Sequence, residues 1–460
     1  MSGTDEPPPE LPELRDRGRR VILWLGWLLF LVYAYPGYMS TDSVDQLMQA
    51  RENVFRDWHP PVMAFLWRIT DHLVAGPFPM LVLQSATFLL GADALLRRQL
   101  RPRAAAVAAS LLLLCPPVIS QMAVIWKDMQ MAGYLMAGTA LLLAARRGWR
   151  VLGLALLCLA TAQRYNAPAA TLPLVVGLFV WHRDAGWRRY ATAAVAWVAI
   201  TVLASAANRA LTDEQTFPWH GSIAVFDIVG TVRFGPRLAD DELRRVLDGV
   251  PGLPGEKIQA RMRKSYEPSA WWWLSHGDTR VMDPVTTQAQ RDALATAYRK
   301  LILAHPVSYL RHRWSVFVRV LGWGSNNVPI STVWTEFTGA DWHGAAIKHV
   351  ASHSALQGAW LAAFAAHDRS WWFRPWVYGV IALCLLPLCI RQRLALCVVL
   401  SGVLGQLGLF VAAPSSDFRY SHWMIACTLL GAVLVFAARY RRGTKASTST
   451  QRSALHATTA

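Results

Sequence analysis

Two carboxylates that follow the first apolar run of the chain could take part in catalysis. Asp42 and Asp45 stand three residues apart in the segment 40–61, which also contains His59 before two prolines. Residues at this spacing share one face of a helix. Paired carboxylates suit a general base or a divalent-cation site. The simpler alternative makes Asp42 a helix N-cap, with Asp45 near the third helical position.

Basic side chains stand in three further short segments between apolar runs. These segments supply the candidate binding residues Lys127, Asp128, Arg164, Asn166, Asp417, Arg419 and Tyr420. Arginine and lysine at the membrane surface suit a phosphate, because each donates hydrogen bonds to its oxygens. Simpler alternatives stay open: a snorkelling Lys127 beside a helix-start Asp128, and an exposed Asp417–Arg419 pair worth about 1 kcal/mol or less.

The composition of the chain is that of a membrane protein. Hydrophobic residues make up 54% of the 460 residues and charged residues 16%, with a mean hydropathy of +0.25. Soluble proteins carry about 25% charged residues. A net charge of +17 would suggest nucleic acid in a soluble protein. Here the basic residues cluster between apolar runs, which indicates orientation charge, a lipid bilayer as partner and no nucleic acid.

We expect an all-α polytopic membrane protein with about ten transmembrane helices, since a straight span needs about 20 residues. The predicted spans are 21–39, 79–96, 104–125, 129–145, 151–166, 167–182, 191–209, 374–390, 394–413 and 421–438. The expected regions are a disordered tail 1–20, a transmembrane module 21–209 that contains the first outer loop, an extracytoplasmic region 210–373, C-terminal transmembrane helices 374–440 and a second disordered tail 441–460.

Basic clusters predict the orientation of these spans, because short cytoplasmic loops carry an excess of arginine and lysine. The clusters fall on one side of the predicted membrane, near residues 15–20, 97–103, 146–150, 183–189, 391–393 and 439–445. We therefore expect an inner (cytoplasmic) membrane protein with both termini in the cytoplasm and the region 210–373 outside.

The region 210–373 has predicted structure of its own. Helices are expected near 240–248 and 286–304. A third helix near 307–323 has an apolar face and a polar face, the latter formed by Arg311, His312, Ser315 and Arg319. Such a helix prefers the plane of the membrane interface. The tryptophans 271–273 and 371–372 are expected to anchor at lipid headgroups.

Disulfides and a metal centre are not expected. All six cysteines fall inside apolar runs, where they behave as small hydrophobic residues. His343, His349 and His353 are the remaining candidates for a metal site. Because no cysteine or carboxylate stands at ligand spacing beside them, solvated histidines are the favoured interpretation.

Several of these segments resemble the GT-C superfamily, integral-membrane glycosyltransferases that take a sugar from a polyprenyl-phosphate carrier. The stretch from Pro36 to Gln46, followed by His59-Pro60-Pro61, is similar to the first outer loop of bacterial members related to protein mannosyltransferases and aminoarabinose transferases. The segments 163–166 and 417–420 are similar to recurring elements of the same group. The resemblance implies a GT-C-type core with a large outer helical loop.

The resemblance also implies a mechanism. Asp42 would be the base that deprotonates the acceptor hydroxyl, with Asp45 as the alternative, and the sugar would be transferred with inversion. Lys127 and Arg164, with Arg419, would stabilise the charge that develops on the carrier phosphate. His59, Asp45 and Asp128 would contact the acceptor or the sugar. The acceptor would be a cell-envelope glycan, lipid or protein. A monophosphate carrier, the favoured one, needs no metal; a diphosphate carrier often needs a divalent metal.

Two other functions fit a polytopic chain. An O-antigen ligase or polymerase would concentrate its critical residues in the large outer loop, whereas the sharper polar pattern here lies in the first small loop. A flippase or transporter of lipid-linked sugars would carry polar residues near the middle of the bilayer, often in repeated halves. The sequence shows no internal repeat, which favours the glycosyltransferase.

Overall fold

The computed structural model describes residues 16–180, 186–252, 257–275, 280–323 and 354–458, with side chains as far as residue 441. Helices form the regular structure of these residues, and β-pairing within them is limited to isolated bridges. The expected all-α class is confirmed.

Nineteen α-helices lie within the described residues. The first ten, α1 to α10, are Arg17–Ala34, Thr41–Glu52, Val62–Leu73, Phe78–Leu96, Pro102–Leu114, Pro116–Met122, Lys127–Leu142, Arg147–Gln163, Ala167–Leu178 and Trp187–Leu211. The next nine, α11 to α19, are Val225–Phe234, Asp240–Val246, Ile258–Ser265, Gln288–Ala304, Pro306–Val320, Ala355–His367, Pro375–Cys389, Arg393–Ala412 and His422–Thr458. A π-helical turn, Trp219–Ala224, leads into α11.

Four helices of the described residues are long and apolar enough to cross a membrane. They are α4, α10, α18 and the stretch Phe418–Arg441, in which a short 3-10 turn leads into the first part of α19. They coincide with the predicted spans 79–96, 191–209, 394–413 and 421–438. The chain is therefore a membrane protein.

The other predicted spans are shorter or broken helices. The predicted span 104–125 consists of α5 and α6, which are bent by 68° where Cys115 joins them. The helix breaks there because Pro116 and Pro117 have no backbone N–H to donate to the preceding turn. Helices α9 and α17 are apolar but contain only 12 and 15 residues, fewer than the about 20 of a straight span. The total of about ten spans stays a prediction.

Close contacts between helices hold the bundle together. Helix α7 packs against α4 and α8, and α18 packs against α9 and α19. Glycine permits such close packing: a Cβ atom on Gly153 of α8 would lie 2.6 Å from the backbone nitrogen of Leu142 in α7. Small residues at such contacts let membrane helices meet through their backbones.

A buried ion pair joins α1 to α4 at the end of the bundle that carries the basic clusters. The Asp93 carboxylate is fully buried and accepts hydrogen bonds from Arg19 at 2.6 Å and from Arg97 at 3.0 Å. The sequence indicated only an orientation role for both arginines. Here they also compensate a carboxylate that burial would otherwise disfavour strongly.

The described part of the region 210–373 has an apolar core of its own. Helices α11 to α15 form this core together with Leu409 and Ala413 from the end of α18. The helices predicted near 240–248 and 286–304 are confirmed as α12 and α14. This second core lies against the same end of α18 that leads into the segment 413–421.

Helix α15 confirms the helix predicted near 307–323, but the predicted polar face is divided: Arg311 is exposed, whereas His312 faces the protein. His312 and Arg313 are fully buried, whereas Leu310 and Trp314 are 51% and 60% exposed. The predicted polar face did not include Arg313, the most buried charge of the helix. An orientation of α15 in the interface plane stays a prediction.

The charge inside this second core is balanced by one carboxylate, Asp227 of α11. Asp227 accepts from Arg313 at 2.7 Å and from His312 Nε2 at 3.0 Å. The hydroxyl of Tyr266 lies 2.9 Å from Nδ1 of the same histidine. Arg313 also donates to the backbone oxygen of Ala413 at 3.0 Å, which ties the core to the end of α18.

The two disordered tails stay predictions, although a helix reaches into each of them. Helix α1 begins at Arg17, inside the predicted tail 1–20, because the Asp16 side chain caps its first turn. The backbone of α19 is helical as far as Thr458, inside the predicted tail 441–460.

Replacing Asp227 by alanine should destabilise the protein strongly, because it leaves the buried Arg313 without its counter-charge. We expect a loss of about 3–5 kcal/mol in the free energy of unfolding, measured by thermal unfolding in detergent. The control is Asp283→Ala, which removes the exposed Arg280–Asp283 pair and should cost at most about 1 kcal/mol. Equal unfolding temperatures for the two variants would contradict this account.

Candidate active site

The predicted site residues converge on one cavity of about 1310 Å³. Helices α7, α9 and α19 begin beside it, and α8 and α18 end beside it, at the end of the bundle opposite the basic clusters. Eight of the ten predicted residues line it: Asp42, Asp45, His59, Lys127, Arg164, Asn166, Arg419 and Tyr420. Asp128 and Asp417 lie behind this lining as partners of the two arginines.

Pairing between two distant segments positions Asp42. The backbone of Tyr38 exchanges hydrogen bonds with Ala123 and Ile125, each at 2.9 Å. The Ser43 hydroxyl donates to the oxygen of Ile125 at 2.7 Å. The segment 38–43 is thereby fixed beside the residues that precede Lys127, and the start of α2 faces the start of α7.

The N-cap interpretation of Asp42 is wrong. Ser40 is the N-cap of α2 and forms a capping box with Ser43, which leaves Asp42 as the second residue of the helix. Serine takes the capping role because its hydroxyl accepts from the third amide of the helix. The Asp42 carboxylate is therefore available to other groups in the cavity.

Three basic side chains surround the Asp42 carboxylate and form with it what we term the Asp42 cluster. Arg419 lies 2.7 Å from Oδ2, Lys127 lies 3.9 Å from the same oxygen, and His59 Nε2 lies 3.5 Å from Oδ1. Lys127 Nζ also lies 2.6 Å from Nδ1 of His59. These distances fit a neutral histidine that accepts from Lys127 and directs its own proton to Asp42.

Burial and charge shift the pKa values within the Asp42 cluster. Burial lowers the pKa of Lys127 to about 7, although the negative charge of Asp42 opposes the shift. Burial and the nearby Lys127 lower the pKa of His59. For Asp42, burial alone would raise the pKa, but Arg419, His59 and Lys127 outweigh it and hold the pKa well below its usual range. The carboxylate is therefore ionised at neutral pH, and Lys127 gives up its proton more readily than an exposed lysine.

A second ion pair borders the cavity beside this cluster. Arg164 forms an ion pair with the buried Asp128 and donates to the Asn166 side chain at 3.1 Å. Its guanidinium lies 4.6 Å from the centre of the Tyr420 ring. Asp128 is thus the counter-ion of Arg164 and does not reach the cavity itself. The same holds for Asp417, whose carboxylate lies 2.8 Å from Nε of Arg419 and forms an ion pair with it.

Lys127 does not extend its side chain to solvent, and the Asp417–Arg419 ion pair is not exposed at the surface. The Lys127 side chain is only 9% exposed, and that of Arg419 only 11%. The Arg419 guanidinium also lies 4.5 Å from the centre of the Trp126 ring. Partial burial strengthens these interactions relative to exposed pairs.

Hydrogen bonds clamp the first loop onto the start of the region 210–373. The amide and the hydroxyl of Thr216 donate to the Asp57 carboxylate at 2.5 and 2.7 Å. The Asp213 carboxylate accepts from the amide of Phe55 at 2.8 Å. Trp58, between these clamps and His59, is thereby held at the cavity wall.

The sequence did not predict an aromatic wall on the far side of the cavity. Trp58, Trp219, Trp271 and Trp272 line it, and the rings of Trp58 and Trp271 are 5.5 Å apart. Trp271 and Trp272 were expected to be headgroup anchors, but they face this cavity. The only feature of the sequence that marked these residues is the run of three tryptophans at 271–273. Such a run is equally compatible with a membrane anchor and with a cavity wall.

The segment 413–421 connects the wall with the Asp42 cluster. The amide of Trp271 donates to the oxygen of Pro414 at 3.2 Å, and the amide of Ser416 donates to the oxygen of Ser269 at 2.8 Å. Arg419 follows three residues later. A single backbone pairing therefore sets the distance between the aromatic and the charged sides of the cavity.

Within the described residues, no group of three or more His, Cys, Asp or Glu side chains is arranged to hold a metal ion. His343, His349 and His353 lie outside the described residues.

Comparison with known proteins identifies no relative: no family model, no curated protein and no solved structure matches the chain. The resemblance to the GT-C superfamily stays a prediction.

Lys127 should titrate near pH 7, and its pKa should respond to its neighbours in opposite directions. Asp42→Asn removes a negative charge and should lower the pKa of Lys127 further. Arg419→Gln removes a positive charge and should raise it. NMR of side-chain-labelled lysine, assigned with Lys127→Arg, measures these values. A Lys127 pKa near 10 in the native protein, or the same shift in both variants, would contradict the arrangement.

Proposed function

We propose that this chain is an integral-membrane glycosyltransferase of the GT-C type, which transfers a sugar from a polyprenyl-phosphate carrier to a cell-envelope acceptor. One observation supports this above all: the Asp42 carboxylate lies within 2.7–3.9 Å of three basic groups in a cavity at one end of the bundle. Basic groups bind a phosphate, and a carboxylate accepts a proton from a hydroxyl. The enzyme would act at the outer face of the inner membrane, with both termini in the cytoplasm.

The proposed reaction is a single displacement. An acceptor hydroxyl attacks the anomeric carbon of the donor sugar, and the bond between that carbon and the phosphate oxygen breaks. The bonding electrons stay on the phosphate oxygen, so that polyprenyl phosphate leaves with an additional negative charge. The hydroxyl proton passes to Asp42. Arg419, Lys127 and Arg164 stabilise the leaving phosphate, since fixed positive groups act strongly where water is scarce.

Donor binding would change the state of Asp42. A donor phosphate competes with Asp42 for Arg419 and Lys127, because both anions need the same donors. When the phosphate takes over these groups, the pKa of Asp42 rises from its depressed value. A carboxylate with a higher pKa is a better base, so Asp42 would become effective only once the donor is bound.

An apolar groove beside the active site offers a place for the polyprenyl chain. This groove, of about 590 Å³, lies between α15, α17 and α18 and is lined by Trp314, Trp376 and Leu407 among others. Leu407 stands five residues before Ala412, which lines the active-site cavity. Five helical residues correspond to about 7.5 Å along α18 and to about 140° around it, so the groove and the cavity lie on different faces of the helix near its end. A carrier whose phosphate reaches Arg419 would pass around the end of α18 to lay its chain in this groove.

Asp42→Asn should abolish transfer without weakening the binding of the carrier. The loss of a general base typically lowers turnover by about 10²–10⁴-fold. Binding of polyprenyl phosphate should stay equal or become tighter, because a carboxylate that competes for Arg419 and Lys127 is gone. The assay follows release of polyprenyl phosphate from a panel of radiolabelled polyprenyl-phosphate sugars, with the carrier affinity measured separately.

Asp45→Asn is the matched control for this experiment. Asp45 lines the same cavity three residues later, and its carboxylate accepts from Gln49 at 2.7 Å without contact to the Asp42 cluster. We expect this variant to retain most of its turnover. Loss of turnover in Asp45→Asn alone would make Asp45 the base, and normal turnover in both variants would reject the proposed mechanism.

A further inference from the structure

The side of the cavity that faces the Asp42 cluster has a different chemistry. Its surface is formed by the indoles of Trp58, Trp219, Trp271 and Trp272, which come from three separate parts of the chain. Trp58 packs so closely on the π-helical turn that a Cβ atom on Gly221 would lie 3.0 Å from its ring. The wall is therefore fixed by packing before any ligand binds.

Polar side chains border this aromatic surface. Asn166, Thr216, His220 and Ser415 line the same cavity and offer hydrogen-bond donors and acceptors. Flat aromatic faces beside such groups match a sugar ring, which has an apolar face of C–H bonds and a rim of hydroxyls. The cavity, at about 1310 Å³, exceeds the about 300–1,000 Å³ that hold one drug-sized ligand. It has room for a donor sugar together with a second substrate.

Other acceptor classes fit this wall less well. A peptide bound by strand addition needs an exposed sheet edge, and β-pairing in the described part of the chain is limited to isolated bridges. A lipid acceptor would need a continuous apolar surface, whereas charged groups such as Arg56 and Asp57 interrupt the lining here. A proline-rich peptide is the remaining competitor, because it also binds aromatic grooves.

We propose that the aromatic wall is the acceptor subsite and that the acceptor is a glycan, whose sugar rings stack on Trp271 and its neighbours. This inference rests on the proposed glycosyltransferase function. It places a glycan hydroxyl toward the Asp42 cluster, where the oxygen attacks the anomeric carbon of the donor. The hydroxyl proton passes to Asp42, and polyprenyl phosphate leaves with the electrons of the broken bond.

Saturation-transfer NMR on the full chain in lipid nanodiscs tests the subsite without requiring turnover. The probes are neutral trisaccharides of mannose, glucose, galactose and arabinose, and a peptide of proline, serine and threonine. We expect at least one trisaccharide to bind with a Kd of about 1 mM or lower. Trp271→Ala should weaken this binding at least about tenfold. Trp219→Ala, from a separate part of the wall, should have the same effect if Trp271→Ala does not fold.

The matched control is Trp273→Ala. Trp273 belongs to the same tryptophan string, is 53% exposed and does not line the cavity, so its loss should leave saccharide binding unchanged. Failure of every trisaccharide to bind, binding of the peptide alone, or equal loss in Trp271→Ala and Trp273→Ala would overturn the proposal. If the protein binds a saccharide but releases no polyprenyl phosphate from any donor, the saccharide subsite is supported and the proposed transferase function is rejected.

Discussion

The backbone pairing between residues 38–43 and 123–126 is the constraint on which the site depends. These segments are some eighty residues apart in the chain, yet their hydrogen bonds place the start of α2 against the start of α7. Asp42 and Lys127 meet only because of this pairing. The Trp126 indole adds a bond of 2.6 Å to Ser40, the same residue that caps α2. The cap therefore fixes the helix and leaves the neighbouring carboxylate to face the cavity.

Without a ligand, the charges of the cavity neutralise one another. Asp42 occupies the basic groups that a phosphate would need, and burial brings the pKa of Lys127 to about 7. An anion that enters must compete with the carboxylate for these basic groups, and a carboxylate that loses them is disfavoured as an ion, so its pKa rises. The charged residues lie at one end of the bundle and not midway along it, which suits chemistry at a membrane surface better than passage through the membrane.

The sequence predicted the charged half of the site because charge is conspicuous between apolar runs. Lys127, Arg164 and Arg419 are costly so close to a membrane, and the structure brings all three to one cavity. The sequence could not separate an N-cap from a free carboxylate at Asp42, because Ser40 and Asp42 are both good caps. It missed the partnership of Asp227 with Arg313, since these residues are 86 positions apart and no local pattern joins them. The aromatic wall was missed for the same reason.

The most direct measurement is an electron cryo-microscopy structure of the full chain in lipid nanodiscs with a sugar-free polyprenyl monophosphate. We expect the phosphate within hydrogen-bond distance of Arg419 and Lys127, with the Asp42 carboxylate separated from Arg419 and turned toward the open cavity. Phosphate density away from these two residues, or an Asp42–Arg419 pair unchanged at saturating carrier, would contradict the central claim that this cluster binds the carrier.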